Sequence, residues 1–182
     1  QRTVTPSFPD RLTIGYFGRI REIEHFKLLF QSVEMLPETQ RPRIIIAGDG
    51  TKFKEVQSLA SSHTELDVNV RDSFNHDDLP EMMSEISMMY AMYSPDRGNI
   101  NDGALPAKMF EAAAHGRPSI VNANTPMGLV CESEGLGATV DWKDTQALAS
   151  AITAIQGTEV ILEIDESRER ERFLSVLDQL KI

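Results

Sequence analysis

Hydrophobic positions along the chain fall into short continuous runs separated by amphipathic stretches. Residues 12–17 (LTIGYF), 43–47 (RIIIA), 66–70, 88–93 (MMYAMY), 119–122 and 138–140 read as strands. The run at 43–47 is apolar almost throughout, which is the composition of a strand covered on both faces. Between the first two runs, Ile23, Phe26, Leu29, Phe30 and Val33 recur at intervals of three and four. That stripe predicts a helix over about 22–35 lying on a sheet. Further helices are expected over 52–61, 77–87, 105–118, 129–134 and 144–155, with Asn75, His76, Asp77 and Asp78 serving as cap and first-turn groups of the third. A last stretch, 167–180, alternates charges and then carries Phe173, Leu174, Val176, Leu177 and Leu180, a helix with an apolar side to cover.

Strand and helix alternate with short connections, so the expected fold class is α/β. The expected architecture is a Rossmann-like, doubly wound parallel sheet of about six strands, built from right-handed crossovers. Such sheets hold ligands beyond the carboxyl ends of their strands. Two loops there draw attention. The first strand runs into Gly18-Arg19-Ile20-Arg21, and the fourth into a polar loop, Ser94 to Gly103, that leads to the segment LPAKMFEAAAHGRP. Pro106 suits the first turn of that helix, and Gly116 followed by Arg117-Pro118 stops it. Lys108 and Glu111 stand three apart near its N-terminus. The spacing alone leaves two readings, a solvated surface pair or a seat for an anionic ligand at a helix end. Arg19 and Arg21, at a strand's carboxyl end, can fork onto phosphate oxygens or remain a solvated pair. No complete G-x-G-x-x-G and no Walker lysine motif is present.

Composition narrows the partners. The formal net charge is -10, from 28 acidic and 18 basic residues. That balance argues against a nucleic-acid surface or an anionic-membrane patch, so any phosphate binding has to be local. Cys131 is the single cysteine and cannot form an internal disulfide. A reducing, cytoplasmic setting fits. His25, His63, His76 and His115 are scattered, with no closely spaced pair for a zinc site, so no metal is expected. No run of about eighteen apolar residues occurs.

The segments IGYFGRIR, IIIAGDG, MMYAMYSP, LPAKMFEAAAHGRPSIV and LGATVDWKDTQALASAI, in this order, resemble the C-terminal, donor-binding half of a GT-B fold glycosyltransferase of the retaining family 4 group. P-x-K-x-x-E-x-x-x-x-G-x-P is the most specific of them. The resemblance implies a bacterial-type enzyme that moves a sugar from a nucleotide diphosphate sugar to a glycan or lipid-linked acceptor, in cell-surface polysaccharide or glycoconjugate synthesis, without a cofactor or metal. Glu111 matches the glutamate that holds the ribose diol, Arg19 the first-loop arginine at the diphosphate, and Lys108 a lysine near phosphate or sugar. These three are the expected catalytic groups. Gly18 would let the first loop approach the phosphates, with Arg21 beside it, and Val70 and Arg71 fall where backbone reads the base. By the same resemblance residues 1–11 are a linker from an N-terminal domain outside this chain, 12–157 the nucleotide-sugar domain and 158–182 a helical tail. The acceptor, and any contact with the inner face of a membrane, would come through that other domain.

Two positions depart from the family pattern. Gly103 stands where a first glutamate is common, with Asp102 beside it, and the usual first-helix lysine is replaced by Glu22-Ile23-Glu24-His25. These departures keep two alternatives open: a non-catalytic α/β module for assembly or regulation, and a nucleotide-sugar epimerase of the same architecture.

Overall fold

The computed structural model describes residues 7–162 together with 170, 171, 173–175 and 177. Six strands form one parallel sheet: β1 (Thr13–Phe17), β2 (Arg43–Ala47), β3 (Val68–Arg71), β4 (Met88–Ala91), β5 (Ser119–Asn122) and β6 (Gly137–Val140). Six helices alternate with them: α1 (Glu24–Glu34), α2 (Phe53–Ser62), α3 (Leu79–Ser84), α4 (Ala107–Ala114), α5 (Pro126–Ser133) and α6 (Thr145–Ala154). The strand order is β3-β2-β1-β4-β5-β6. Chain direction across the sheet therefore reverses between β1 and β4, the topological switch point of a doubly wound fold.

Alternate residues serve opposite faces, as the twofold period of a strand requires. Ile14, Tyr16, Ile44, Ile46, Met88 and Tyr90 bury one face against Phe26, Leu29, Phe30 and Val33 of α1 and Leu148 and Ile152 of α6. On the other face, Phe17, Ile45 and Met89 meet Met82 and Met83 of α3, while Ala91 and Val121 meet Met109 of α4 and Met127 of α5. Gly15 admits Ile86 to this second layer; a Cβ there would stand 2.8 Å from two Ile86 carbons.

The ladder between β1 and β4 is short. Paired positions are only Ile14 with Met88 and Gly15 with Met89, whereas β1 pairs with β2 over all five of its residues. The loops after β1 and β2 lie backbone to backbone. Gly18 and Ile20 donate their N–H groups to the carbonyls of Ala47 and Asp49. A side chain on Gly48, whose φ is +149, would collide with the Gly18 carbonyl oxygen, so glycine is required there.

Several element ends differ from the sequence reading, each for a local reason. Helix α1 starts at Glu24 rather than 22, because Glu22 turns toward the β4 loop. Helix α3 stops at Ser84 rather than 87, since the Ser87 N–H is taken by the Thr13 carbonyl as the chain enters β4. Pro106 occupies the N-cap position of α4, outside the first turn. Helix α5 starts at Pro126, three residues earlier than expected, where the Thr125 hydroxyl accepts from Gly128 N–H at 3.0 Å. Of the expected linker, residues 1–6 lie outside the described residues. So does much of the expected tail helix, though 170, 171, 173–175 and 177 are helical and Phe173 and Leu174 are exposed. Among the described residues no helix is long and apolar enough to cross a membrane.

Candidate functional site

The switch point brings together the β1 loop, the β4 loop and the start of α4. Lys108, the second residue of α4, is buried, with 9% of its surface exposed. It does not form the solvated surface arrangement that its spacing from Glu111 allowed. Its Nζ lies 3.3 Å from the centroid of the Tyr16 ring and 5.5 Å from that of Tyr93. The same nitrogen would stand 3.4 Å from a Cβ on Gly18. Two of the expected site residues, from opposite sides of the switch point, are thus in contact. Burial holds the Lys108 ammonium well below the usual lysine range; the nearby Arg97 charge pushes the same way and Glu111 opposes it. The ring face supplies part of the attraction that water would otherwise give.

Tyr16 has a second task. Its hydroxyl donates to the Arg19 carbonyl at 2.8 Å, pinning the β1 loop while its face carries Lys108. Burial raises the phenol pKa well above its ordinary value, so the hydroxyl remains a donor. Arg19 itself extends into solvent, 68% of its side chain exposed, with Nε 3.7 Å from an Asp49 oxygen. Arg21 is exposed as well. Both arginines are free to reorient toward an anion, whereas the Gly18 N–H is already used by Ala47.

Glu111 is half-buried on α4, one turn beyond Lys108. Asp102 and Gly103 are exposed in the β4 loop, Gly103 with φ +97 and nothing near the position of a Cβ. Val70 and Arg71 end β3, two strands from β1, along the same sheet edge. The Arg71 guanidinium is engaged by Glu85 in two bonds of 2.6 Å, and its carbonyl accepts from Gly48 N–H. Beside this pair opens a cavity of about 330 Å³, lined by Ala47, Arg71, Phe74, Asp78, Met82 and Glu85 among others. The expected residues therefore form two groups: Gly18, Arg19, Arg21, Lys108, Glu111, Asp102 and Gly103 around the switch point, and Val70 and Arg71 at the cavity.

Sequence reasoning missed the aromatic and ionic frame. Tyr16 and Tyr93 face Lys108, His25 and Arg97 lie near it, and Glu22 reaches Arg97. Arg97 stands 3.3 Å from Glu22 across the crevice, with its guanidinium carbon 4.8 Å from the Tyr93 ring centroid. His25 is 1% exposed, and neither ring nitrogen has a hydrogen-bond partner. Burial, with the Lys108 and Arg97 charges, lowers its pKa to about 3, so the ring is neutral. A tyrosine alternating with Ile14 on β1 was a visible signal of an inward-facing phenol. The Glu22–Arg97 pairing left no signal in the sequence.

The doubly wound parallel sheet, with the Lys108 crevice at its switch point, defines the class: a Rossmann-like α/β domain. The chain matches the family described as glycosyl transferases group 1 over residues 11–157, and it belongs to that family. Among curated protein sequences nothing matches it. Its fold is that of GT-B glycosyltransferases. The catalytic domain of cholesterol-alpha-glucosyltransferase from Helicobacter pylori superposes with a TM-score of 0.62 at 16% identity, covering 78% of this chain and 84% of that one. Anabaena HepE in complex with UDP-glucose gives 0.64 at 18% identity, over 80% of this chain and 39% of HepE. The lipopolysaccharide outer core galactosyltransferase WaaB gives 0.63 at 16% identity, over 88% of this chain and 45% of WaaB. The chain thus spans less than half the length of the latter two.

Proposed function

We propose that this chain is the donor-binding half of a glycosyltransferase that moves a sugar from a nucleotide diphosphate sugar to a glycan or lipid-linked acceptor in cell-surface glycoconjugate synthesis. The observation that carries the reading is the meeting of Gly18 and Lys108 at the switch point, a buried cation on a glycine-lined floor. The nucleotide lies along the sheet edge. Its base occupies the cavity beside Arg71 and Phe74, the two ribose hydroxyls donate to the Glu111 carboxylate, and the diphosphate crosses the β1 loop toward Lys108 and Arg19. As the glycosidic bond opens, negative charge grows on the departing diphosphate. Lys108, partly desolvated before the ligand arrives, and the free amides at the start of α4 stabilise that charge. The chemistry needs no metal, and the configuration at the sugar is retained. The acceptor is presented by another domain, so this chain alone binds donor and transfers nothing.

Calorimetric titration with UDP, GDP, ADP and their sugar conjugates, for the wild-type chain and Glu111→Ala, tests the reading. Binding of one base, weakened by the substitution by about 1.5–3 kcal/mol, is the expected result. Unchanged affinity in Glu111→Ala would remove the ribose assignment. Absence of nucleotide binding by the folded chain would favour the second reading, a module without donor chemistry. Gly103 is the observation on that side, an open, exposed position where a carboxylate is common.

A further inference from the structure

We infer that Arg97 is a diphosphate-binding residue of the donor site, held by Glu22 and Tyr93, which supplies from the β4 loop a cation where the entry to α1 carries Glu22 and Glu24 in place of a lysine. The inference rests on the donor-binding reading and adds to it a residue that no motif marks. Arg97 closes a short helical turn, Pro95–Arg97, fixed at its start by the Ser94 hydroxyl accepting from Asp96 N–H. Its charge is flanked on two sides. The Tyr93 ring lies beneath the guanidinium, and Glu22 approaches the Nε edge. Contact through Nε leaves the two terminal nitrogens, with four N–H donors, unneeded by Glu22. Three-quarters of the side chain is covered, so the fork is restrained before any ligand arrives.

Arg97 stands close enough to Lys108 for its charge to oppose protonation of the lysine; Glu111 offsets that effect at Lys108, and Glu22 pairs with Arg97. One oxygen of Glu22 is buried without a partner, 3.9 Å from the neutral His25 ring. The planar Arg97 fork, with its terminal nitrogens not taken up by Glu22, matches two phosphate oxygens at once. The β4 loop lies on the side of the β1 loop away from the cavity beside Arg71, so Arg97 faces the part of the ligand remote from the base.

The test compares nucleoside monophosphate and diphosphate of the same base by calorimetry on this chain. For Arg97→Ala, diphosphate affinity is expected to fall about tenfold or more while monophosphate affinity changes less than twofold. Arg97→Lys keeps the charge without the fork and is expected to recover part of the loss. Glu22 acts only through Arg97, so Glu22→Gln shifts diphosphate affinity in the wild-type background and leaves it unaltered in Arg97→Ala. Arg97→Gln, which keeps side-chain length, replaces Arg97→Ala if thermal melting shows the latter unfolded. Equal changes for both nucleotides, or none, overturn the inference while the donor reading stands on Glu111→Ala. A folded wild-type chain that binds no nucleotide overturns both.

Discussion

Gly18 and Lys108 face each other across the switch point, with the lysine nitrogen 3.4 Å from where a Cβ on Gly18 would lie. One residue belongs to the loop after β1, the other to the helix after β4. Gly18 also has φ +138, a conformation that side-chain-bearing residues rarely adopt. Gly18→Ala is therefore expected to cost about 1–3 kcal/mol of stability through backbone strain, while its methyl meets the Lys108 nitrogen only at ordinary contact distance and leaves it on the Tyr16 ring. Urea denaturation measures the cost, and a variant as stable as the parent would refute the strained conformation at Gly18.

Lys108 couples ligand binding to protons. Burial lowers its pKa, whereas a diphosphate anion alongside favours the charged form and raises it again. Between the free and bound values the complex holds one more proton than the separate partners. Diphosphate affinity is accordingly expected to fall as pH rises through that window, with net proton uptake on binding. Calorimetry in two buffers of different ionisation enthalpy reads the uptake directly. Lys108→Met should abolish it; uptake persisting in that variant would assign the proton to another group.

His25 links stability to acid. Its pKa is about 3 in the folded chain against an ordinary 6.5, so below 6.5 the unfolded chain binds a proton that the native chain refuses. Stability rises with pH across this interval, is complete above 6.5 and is lost as pH falls toward 3. Relative to His25→Phe, the wild-type chain is expected to lose about 2 kcal/mol between pH 6.5 and pH 5. Parallel denaturation curves for the two proteins at both pH values would exclude the effect.

The Arg71–Glu85 pair is about one-third exposed on each side, so solvent screens it despite two bonds of 2.6 Å. Glu85→Gln is expected to cost no more than about 1 kcal/mol. The Arg71 hydrogen bonds hold the Glu85 carboxyl below its ordinary pKa. Its contribution is thus present above the unfolded value and lost as pH falls through the lower folded one. Chemical denaturation at neutral pH and near pH 3 should show the gap between wild type and variant closing with acid.

The sheet was legible because its strands are continuous apolar runs that no amphipathic helix produces, and Ile44, Ile45 and Ile46 are all fully buried. Lys108 and Glu111 were legible as a pair, but their i, i+3 spacing carries no information about depth. That depth comes from Tyr16 and Gly18, distant in sequence and brought alongside only by the order of the strands. Glu22 read as an added negative charge near the phosphates; its partner lies on a different loop, and long-range ion pairs leave no periodic trace. The start of α5 could have been read from Thr125-Pro126, a capping hydroxyl followed by proline at the first helical position.

The two-rung ladder between β1 and β4 separates the form of the crevice from its chemistry. Past Gly15 and Met89 the strands part, and each further residue adds about 3.3 Å of unbridged wall. The depth of the crevice is set by where main-chain pairing stops, before any side chain is chosen. Glu22 and Arg97 pair across it from outside that ladder, so substituting either leaves the pairing that holds the walls intact. The walls follow from main-chain pairing, and the charges that line them from side chains that take no part in it.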